Sequence, residues 1–332
     1  MICPECNLLI PEDSRFCKEC GYKLEASVEE REALSNQEKA EKLYREGIVL
    51  YHQGQFDEAI ALWDEVNSLI KDFQMTDYYR GIAYYDKGML SMSVECFKKA
   101  EASHPTVTAV HYRLGLAYYA MGLLSDSEYH FKKVESLIPD TAQIHYRLGL
   151  LYQKNADLDE AVDELKKSIE YSPDFARAFY TLGITYFQKG MLAEAAESLR
   201  KVVKISPRYV MAYYHLGIVL FHKGNLPDAI AAFKEAVSLS PKFTAAYYHL
   251  GICHARKGEH EEAVSAFLRV NELDPMDSSA LYNLGNSYVH LGMLDKAEEI
   301  LQEALKLNPD NAQAYFLLEK VGEIKRSGAM EY

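Results

Sequence analysis

Two cysteine pairs near the start of the chain have the spacing of a metal site. Cys3 and Cys6 form one C-x-x-C motif, and Cys17 and Cys20 form a second. A C-x-x-C turn places two sulfurs on one side of a metal ion, so two such turns supply the four thiolates of a tetrahedral site. The sequence therefore predicts one structural zinc ion per chain, held by these cysteines.

The residues around the cysteine pairs favour a structural site. Asn7 and Gly21 follow the second cysteine of each pair, and both tolerate the left-handed backbone that lets amides point at the sulfurs. The first 25 or so residues are too few to build a core unaided, whereas structural zinc supplies roughly 10–16 kcal/mol. Four cysteines leave no open coordination position for catalysis. A rubredoxin-like iron centre and a redox-active thiol pair remain as alternatives.

The rest of the sequence offers no catalytic arrangement of residues. No glycine-rich phosphate loop, nucleophile–His–carboxylate order or carboxylate pair stands out, so we expect no enzymatic activity. The pairs His111/His145 and His215/His249 recur at equivalent positions, but such side chains start about 10 Å apart on neighbouring helices. A shared metal at about 2 Å from each nitrogen is awkward at that distance. We therefore interpret the histidines as surface or packing residues.

Composition restricts the partners and the compartment. The 332-residue chain has a formal net charge of -13, which repels nucleic-acid phosphates, so we do not expect nucleic acid as the main ligand. No basic segment precedes an apolar N-terminal core, and no apolar run approaches the roughly 18 residues of a membrane span. We expect a cytoplasmic protein without a transmembrane segment. In a reducing cytoplasm, C-x-x-C pairs bind metal more often than they form disulfides.

The elements that carry these residues repeat every 34 residues. Each repeat has an anchor glycine, then a turn glycine (once Ala156), a small residue and a large apolar residue, and all but the first end with a proline. The turn glycine supplies the positive φ of a helix C-cap and the proline ends the second helix, so each repeat predicts a helical hairpin. The small residues allow its two helices to approach closely. The anchor glycines are Gly47, Gly81, Gly115, Gly149, Gly183, Gly217, Gly251 and Gly285.

This pattern, with stretches such as LGLAYY at 114–119 and LGITYF at 182–187, resembles the tetratricopeptide repeat family. The resemblance implies an all-α fold, an α-solenoid in which hairpins stack as a right-handed superhelix. The CPEC…FCKECGYKL stretch resembles the short N-terminal zinc ribbon of many bacterial proteins. Ser35 and Glu38 fit a capping box at the start of the first repeat. The predicted domains are a zinc ribbon at 1–25, a linker at 26–39, eight repeats plus a C-terminal capping helix at 40–325, and a disordered tail at 326–332.

Aromatic residues recur on one face of the first helix of each hairpin. At 100° per residue, the tyrosine three positions before the anchor glycine lies beside the residues one and four positions after it. The family resemblance places this face on the concave side, which implies a groove for an extended peptide or an amphipathic helix. The alternative is that these tyrosines pack against neighbouring repeats. Two arginines, Arg113 and Arg147, form either a cationic edge for a carboxylate or a merely solvated rim of this groove. The predicted groove residues are Tyr112, Tyr119, Tyr146, Tyr180, Phe187, Tyr214, Phe221, Tyr248, Arg113 and Arg147.

These features indicate a non-enzymatic scaffold or adaptor that binds a peptide or helix of a partner protein in the groove and carries a structural zinc ribbon. Two alternatives remain open. One is an assembly factor of a membrane-associated complex. The other is a redox-responsive or metal-responsive regulator that acts through the four-cysteine site. The sequence does not identify the partner.

Overall fold

The computed structural model describes residues 2–3, 5–11, 14, 16–22 and 28–328, with backbone alone for residues 28–32 and 328. These residues form seventeen α-helices and one 3₁₀ turn, and an isolated antiparallel bridge joins Ile2 and Leu9. The prediction of an all-α fold is confirmed. The chain divides into two compact units, Met1–Asp140 and Thr141–Tyr332.

The first unit contains the cysteine segment and three helical hairpins, in which α2 packs on α3 and α4 packs on α5. A 3₁₀ turn at Phe73–Met75 connects the first hairpin to the second. The hairpins are α1 (Val28–His52) with α2 (Phe56–Leu69), α3 (Thr76–Asp86) with α4 (Leu90–Ser103), and α5 (Thr108–Met121) with α6 (Leu124–Leu137).

The second unit contains five hairpins and a final single helix, and the second helix of each hairpin packs on the helix that follows it. The first three hairpins are α7 (Ala142–Asn155) with α8 (Leu158–Tyr171), α9 (Ala176–Gln188) with α10 (Leu192–Ile205), and α11 (Val210–His222) with α12 (Leu226–Leu239). The remaining elements are α13 (Thr244–Lys257) with α14 (His260–Leu273), α15 (Ser278–His290) with α16 (Leu294–Leu307), and α17 (Ala312–Gly328).

The hairpin turns have the backbone conformation that the sequence predicts. The turn glycines all have positive φ, such as Gly122 at 78° after α5 and Gly258 at 80° after α13. Ala156 takes the same left-handed conformation at 67° after α7, although an L-residue is strained there. The second helices end just before the prolines, as α8 does at Tyr171 ahead of Pro173.

The anchor glycines are required by the large apolar residue sixteen positions later. A Cβ on Gly115 would lie 2.5 Å from the ring of Phe131, and a Cβ on Gly217 would lie 2.6 Å from the ring of Phe233. The small residue twelve positions later also contributes, because the Ser127 hydroxyl donates a hydrogen bond of 2.8 Å to the Gly115 carbonyl. Glycine therefore lets the second helix seat its largest side chain directly on the first helix.

Three predicted boundaries differ from the structure. Residues 28–39, whose polar composition predicts either a solvated linker or a frayed helix, form the first three turns of α1. Ser35 and Glu38 lie inside this helix, so the predicted capping box is wrong. Residues 326–328 of the predicted disordered tail belong to α17, and residues 329–332 lie outside the described part of the chain.

Candidate functional site

The four cysteine sulfurs lie close together in the N-terminal segment. The Sγ atoms of Cys3 and Cys20 are 3.5 Å apart, and so are those of Cys6 and Cys17. All four sulfurs lie within 4.8 Å of one another. The cysteines are free thiols, and the short distances join sulfurs of different C-x-x-C motifs. The two turns therefore converge on one point, where Cys3 and Cys17 are buried together with Ile10.

The two cysteine turns repeat the same backbone hydrogen bonds. The amide of Cys3 donates to the Leu8 carbonyl and the amide of Cys17 to the Tyr22 carbonyl, both at 2.9 Å. Asn7 and Gly21 occupy the left-handed region at φ of 56° and 73°, as the sequence predicts for these positions.

Backbone amides also point at the sulfurs of these turns. Hydrogen bonds from the backbone of Cys20 and of Glu19 lower the pKa of the Cys17 thiol from 9.0 to about 6. Donors aimed at a sulfur stabilise the thiolate, which is the form that binds metal. The pKa of Cys6 and of Cys20 is nevertheless raised, because hydrogen bonds from neighbouring cysteine thiols and burial outweigh the backbone hydrogen bonds at Leu8 and Tyr22. A cation among the sulfurs would be needed to hold all four as thiolates.

The predicted groove residues lie on the first helices of the hairpins. They are less accessible than side chains that project fully into solvent. Tyr146 is only 8% exposed. The other nine residues are half-buried. The tyrosines are therefore in part packing residues, and only part of each side chain is accessible.

Three tyrosines of the second unit each pack against an aromatic residue of the next hairpin. That residue occupies the N-cap position of the following first helix, in α9, α11 and α13. The sequence analysis did not identify this second series, although it also repeats every 34 residues. The pairs, with distances between ring centroids, are Tyr146 with Phe175 at 5.0 Å, Tyr180 with Tyr209 at 5.1 Å, and Tyr214 with Phe243 at 4.9 Å.

Packing raises the pKa of these tyrosines, which are already neutral at pH 7. Burial, followed by the nearby Tyr209, raises the pKa of Tyr180 to about 12. Burial also raises the pKa of Tyr214 and of Tyr248. The Tyr248 hydroxyl accepts a hydrogen bond of 3.2 Å from the Asn283 side chain on α15. The tyrosines of this face thus contribute aromatic rings with neutral hydroxyls rather than charges.

Cationic groups border the aromatic residues in the second unit. The guanidinium of Arg147 lies 5.9 Å from the centroid of the Tyr146 ring. Arg256, which the sequence analysis missed, lies 4.2 Å from the centroid of the Phe221 ring. A guanidinium over an aromatic ring gains a cation–π attraction and holds the ring in place. The exposed position of Arg256 leaves its charge available to a ligand.

A cleft of about 420 Å³ opens beside the aromatic face between the N-terminal turns of α13 and α15. It is lined by Tyr248 and His249 on one side and by Asp277 and Ser279 on the other. Asp277 is also the N-cap of α15, where its carboxylate accepts hydrogen bonds from the amides of Ser279 and Ala280. The cleft combines an aromatic wall with backbone and side-chain polar groups, which is the usual composition of a peptide-binding surface.

Two buried histidines in the first unit were missed as a pair by sequence analysis. His111 on α5 and His130 on α6 are 2% and 6% exposed, and their Nδ1 atoms are 3.3 Å apart. Burial, and secondarily His111, lower the pKa of His130 to about 4. The sequence analysis compared histidines at the same position of neighbouring repeats, whereas this pair lies within one hairpin.

The stacked hairpins and their aromatic faces define the chain as a helical-repeat scaffold for protein–protein interaction. None of the helices in the described part of the chain combines the length and the apolarity required to cross a membrane.

The family models agree with this class. Residues 134–331 match the model described as the C-terminal domain of cilia and flagella-associated protein 70, a tetratricopeptide repeat model that covers more than half of this chain. Residues 43–65 match a further tetratricopeptide repeat model. The chain therefore belongs to the tetratricopeptide repeat family, and the predicted α-solenoid class is confirmed.

Solved structures of repeat proteins are similar to this chain. One is YrrB, described as a tetratricopeptide repeat protein with an unusual peptide-binding site, with 29% identity, a TM-score of 0.53, and coverage of 56% of this chain and 96% of YrrB. MamA has 29% identity and a TM-score of 0.50, with coverage of 53% and 96%. A repeat protein from Cytophaga hutchinsonii shares the fold, with 15% identity, a TM-score of 0.65, and coverage of 73% and 99%. The comparison with curated proteins gave no match.

Proposed function

We propose that this chain is a non-enzymatic cytoplasmic adaptor that binds a peptide or helix of a partner protein on the aromatic face of its first helices. The observation that carries the proposal is the series of aromatic residues on the first helices of the second unit, most of which are half-buried and so partly accessible beside the cleft at Tyr248. Aromatic side chains held by packing give contact area at low entropic cost, because the partner does not have to order them.

The chemistry of this face favours a partner segment that is apolar along one side and carries a carboxylate. Ile184 and Ile218 lie one position after the anchor glycines and are half-buried beside the tyrosines, so the centre of the face is apolar. The guanidinium of Arg256 lies at its edge and can pair with a carboxylate. The similarity to YrrB, whose structure is described by its peptide-binding site, supports the same use of the fold here.

The N-terminal cysteines are proposed to hold one structural zinc ion per chain. With a zinc–sulfur distance of about 2.3 Å, the sulfurs of a tetrahedral site lie about 3.8 Å apart. The 3.5 Å distances between sulfurs of Cys3 and Cys20 and of Cys6 and Cys17 fit this requirement, and the amides near Cys17 fit a thiolate. Zinc would fix the positions of the two turns relative to each other. Free thiols at all four positions suit a reducing compartment.

The adaptor proposal is tested with the full chain as an affinity bait. The substitutions Ile184→Asn and Ile218→Asn replace the apolar residues of this face with asparagine. The chain already has asparagine at the equivalent position of a later repeat, Asn286. We expect a partner captured by the unmodified chain to be lost from this double variant, because apolar contact is replaced by an amide. The control is Lys234→Asn, an exposed change on the second helix α12. Circular dichroism verifies that helicity is retained.

The results distinguish the two halves of the chain. If the double variant retains the partner as well as the control does, the aromatic face is not the binding surface. Capture that is lost instead in Cys17→Ser, with the repeat face intact, would assign binding to the N-terminal segment. Zinc content is measured on the same samples, and we expect Cys17→Ser to hold one zinc ion fewer than the unmodified chain.

A further inference from the structure

A second group of metal-binding side chains lies inside the first unit, away from the cysteines. Glu101 near the end of α4 meets His111 on α5 and His130 on α6. The Glu101 Oε1 atom is 3.3 Å from His111 Nδ1 and 3.8 Å from His130 Nδ1. The two Nδ1 atoms are 3.3 Å apart. Three potential ligand atoms therefore surround one point between three helices.

The histidine rings are oriented toward that point. Their centroids are 5.6 Å apart while the Nδ1 atoms are 3.3 Å apart, so these nitrogens lie between the two rings and face each other. The other nitrogen of His111, Nε2, lies 2.8 Å from the carbonyl oxygen of Pro105. A carbonyl only accepts hydrogen bonds, so Nε2 carries a proton, and in the neutral imidazole Nδ1 of His111 presents its lone pair.

The hydrogen bond to Pro105 is the outer-shell contact that metal-binding histidines commonly make. A ligand histidine usually donates its second ring N–H to a carboxylate or backbone carbonyl, which fixes the tautomer and the ring orientation. His111 has this contact without a metal being assumed. Its carbonyl partner lies in the loop between α4 and α5, which therefore helps to position the ligand nitrogen.

The fold does not require these three residues. In four of the five hairpins of the second unit, the same positions carry predominantly apolar or small neutral side chains that fill the interface between hairpins. The exception is the hairpin of α7 and α8, where the equivalent residues are Glu135, His145 and Glu164. Glutamate and histidine are poor choices for a buried interface unless they have a polar partner. The equivalents of Glu101, His111 and His130 are Ile169, Phe179 and Ser198; Val203, Tyr213 and Ala232; Val237, Tyr247 and Ala266; and Asn271, Leu281 and Ile300.

We infer that Glu101, His111 and His130 form a binding site for a divalent transition-metal ion, with zinc as the ion to test. At zinc–nitrogen distances of about 2.0–2.1 Å, two ligand atoms of a tetrahedral site lie about 3.3–3.4 Å apart. The nitrogen–nitrogen and the shorter oxygen–nitrogen distances both equal 3.3 Å. Two imidazoles and one carboxylate leave a fourth coordination position for water. Glu101 is partly exposed, so the ion enters the site past this residue.

The inference is tested by zinc binding to the full chain. Glu101→Val and His130→Ser introduce residues that the chain carries at the same position in other repeats, Val203 and Ser198. After reloading with Zn²⁺ and dialysis, elemental analysis should show one zinc ion fewer in each variant than in the unmodified chain. Removal of a direct ligand should weaken Zn²⁺ binding by about 100-fold or more, since loss of an outer-shell contact alone costs about 10–100-fold.

The control and the cysteine site keep the result unambiguous. His249→Asn removes another half-buried histidine and uses the residue found at Asn283, so it should leave the zinc content unchanged. Glu101→Val is repeated in a Cys17→Ser background, in which the proposed cysteine site is disabled. The difference in zinc content caused by Glu101→Val then does not depend on whether the cysteines bind zinc. Equal zinc content with and without Glu101→Val in both backgrounds would overturn the inference. His111 and His130 would then be a hydrogen-bonded packing pair.

Discussion

The contact between an anchor glycine and its large apolar partner gives the sharpest stability prediction. At Gly217, an added Cβ would lie 2.6 Å from Cε1 and 2.8 Å from Cδ1 and Cζ of Phe233, whose side chain is fully buried. Carbon atoms normally approach to about 3.5–4.0 Å, so Gly217→Ala would shorten these contacts by about 1 Å. Extra methyl groups in a packed core cost about 1–3 kcal/mol.

Helix propensity acts in the opposite direction and needs a control. Alanine is favoured over glycine inside a helix by about 0.8–1.0 kcal/mol. Gly322 in α17 has no heavy atom within 4 Å of its added Cβ, so Gly322→Ala should gain this amount without a clash. Gly217→Ala should be neutral to about 2 kcal/mol destabilising. The difference between the two substitutions is the overpacking cost itself, about 1–3 kcal/mol.

Native-state hydrogen exchange measures both changes locally, which suits a repeat protein in which the helices do not all unfold together. The first quantity is the change in the exchange rate of α11 and α12 peptides caused by Gly217→Ala. The second is the change in the exchange rate of α17 peptides caused by Gly322→Ala. The two changes should differ by about 5-fold to 150-fold. Adding Phe233→Ala should make Gly217→Ala less harmful, because the ring it contacts is gone. If Gly217→Ala protects α11 as well as Gly322→Ala protects α17, the close-packing argument is refuted.

Three further predictions concern the second unit. Ala156→Gly should raise the unfolding midpoint by relieving a left-handed alanine, a strain of about 1–2 kcal/mol, whereas Ala231→Gly inside α12 should lower it; equal midpoints would contradict this. Asp277→Ala removes the N-cap hydrogen bonds of 2.9 Å to Ser279 and 3.0 Å to Ala280, and should cost about 1 kcal/mol in urea unfolding; no loss would show that the cap is dispensable. Burial lowers the pKa of His249, so the unfolded chain binds more protons as the pH falls through about 6.5, and stability should decline there. His249→Asn should reduce this decline, and an unchanged pH profile would exclude His249 as its source.

The local features of this fold follow from residue type. A glycine such as Gly122 or Gly258 directly predicts a left-handed helix C-cap. The positive φ that such a cap requires depends only on the residue at that position. The same holds for Asn7 and Gly21 beside the cysteines. The extent of α1 was left open between a linker and a frayed helix, because residues 28–39 lack an apolar stripe. Their many helix-forming residues continue the helix without one.

The sequence by itself determined the repeat, the hairpins, the family and the residues of the cysteine motifs, because each depends on spacing along the chain. Tertiary structure decided which side chains meet across hairpins. It paired Tyr180 with Tyr209, and it brought Glu101 and His111 to His130, although no motif marks these combinations. The physical reason is that contacts between stacked helices depend on how the surfaces of two helices fit together, and that fit is fixed only when the hairpins pack.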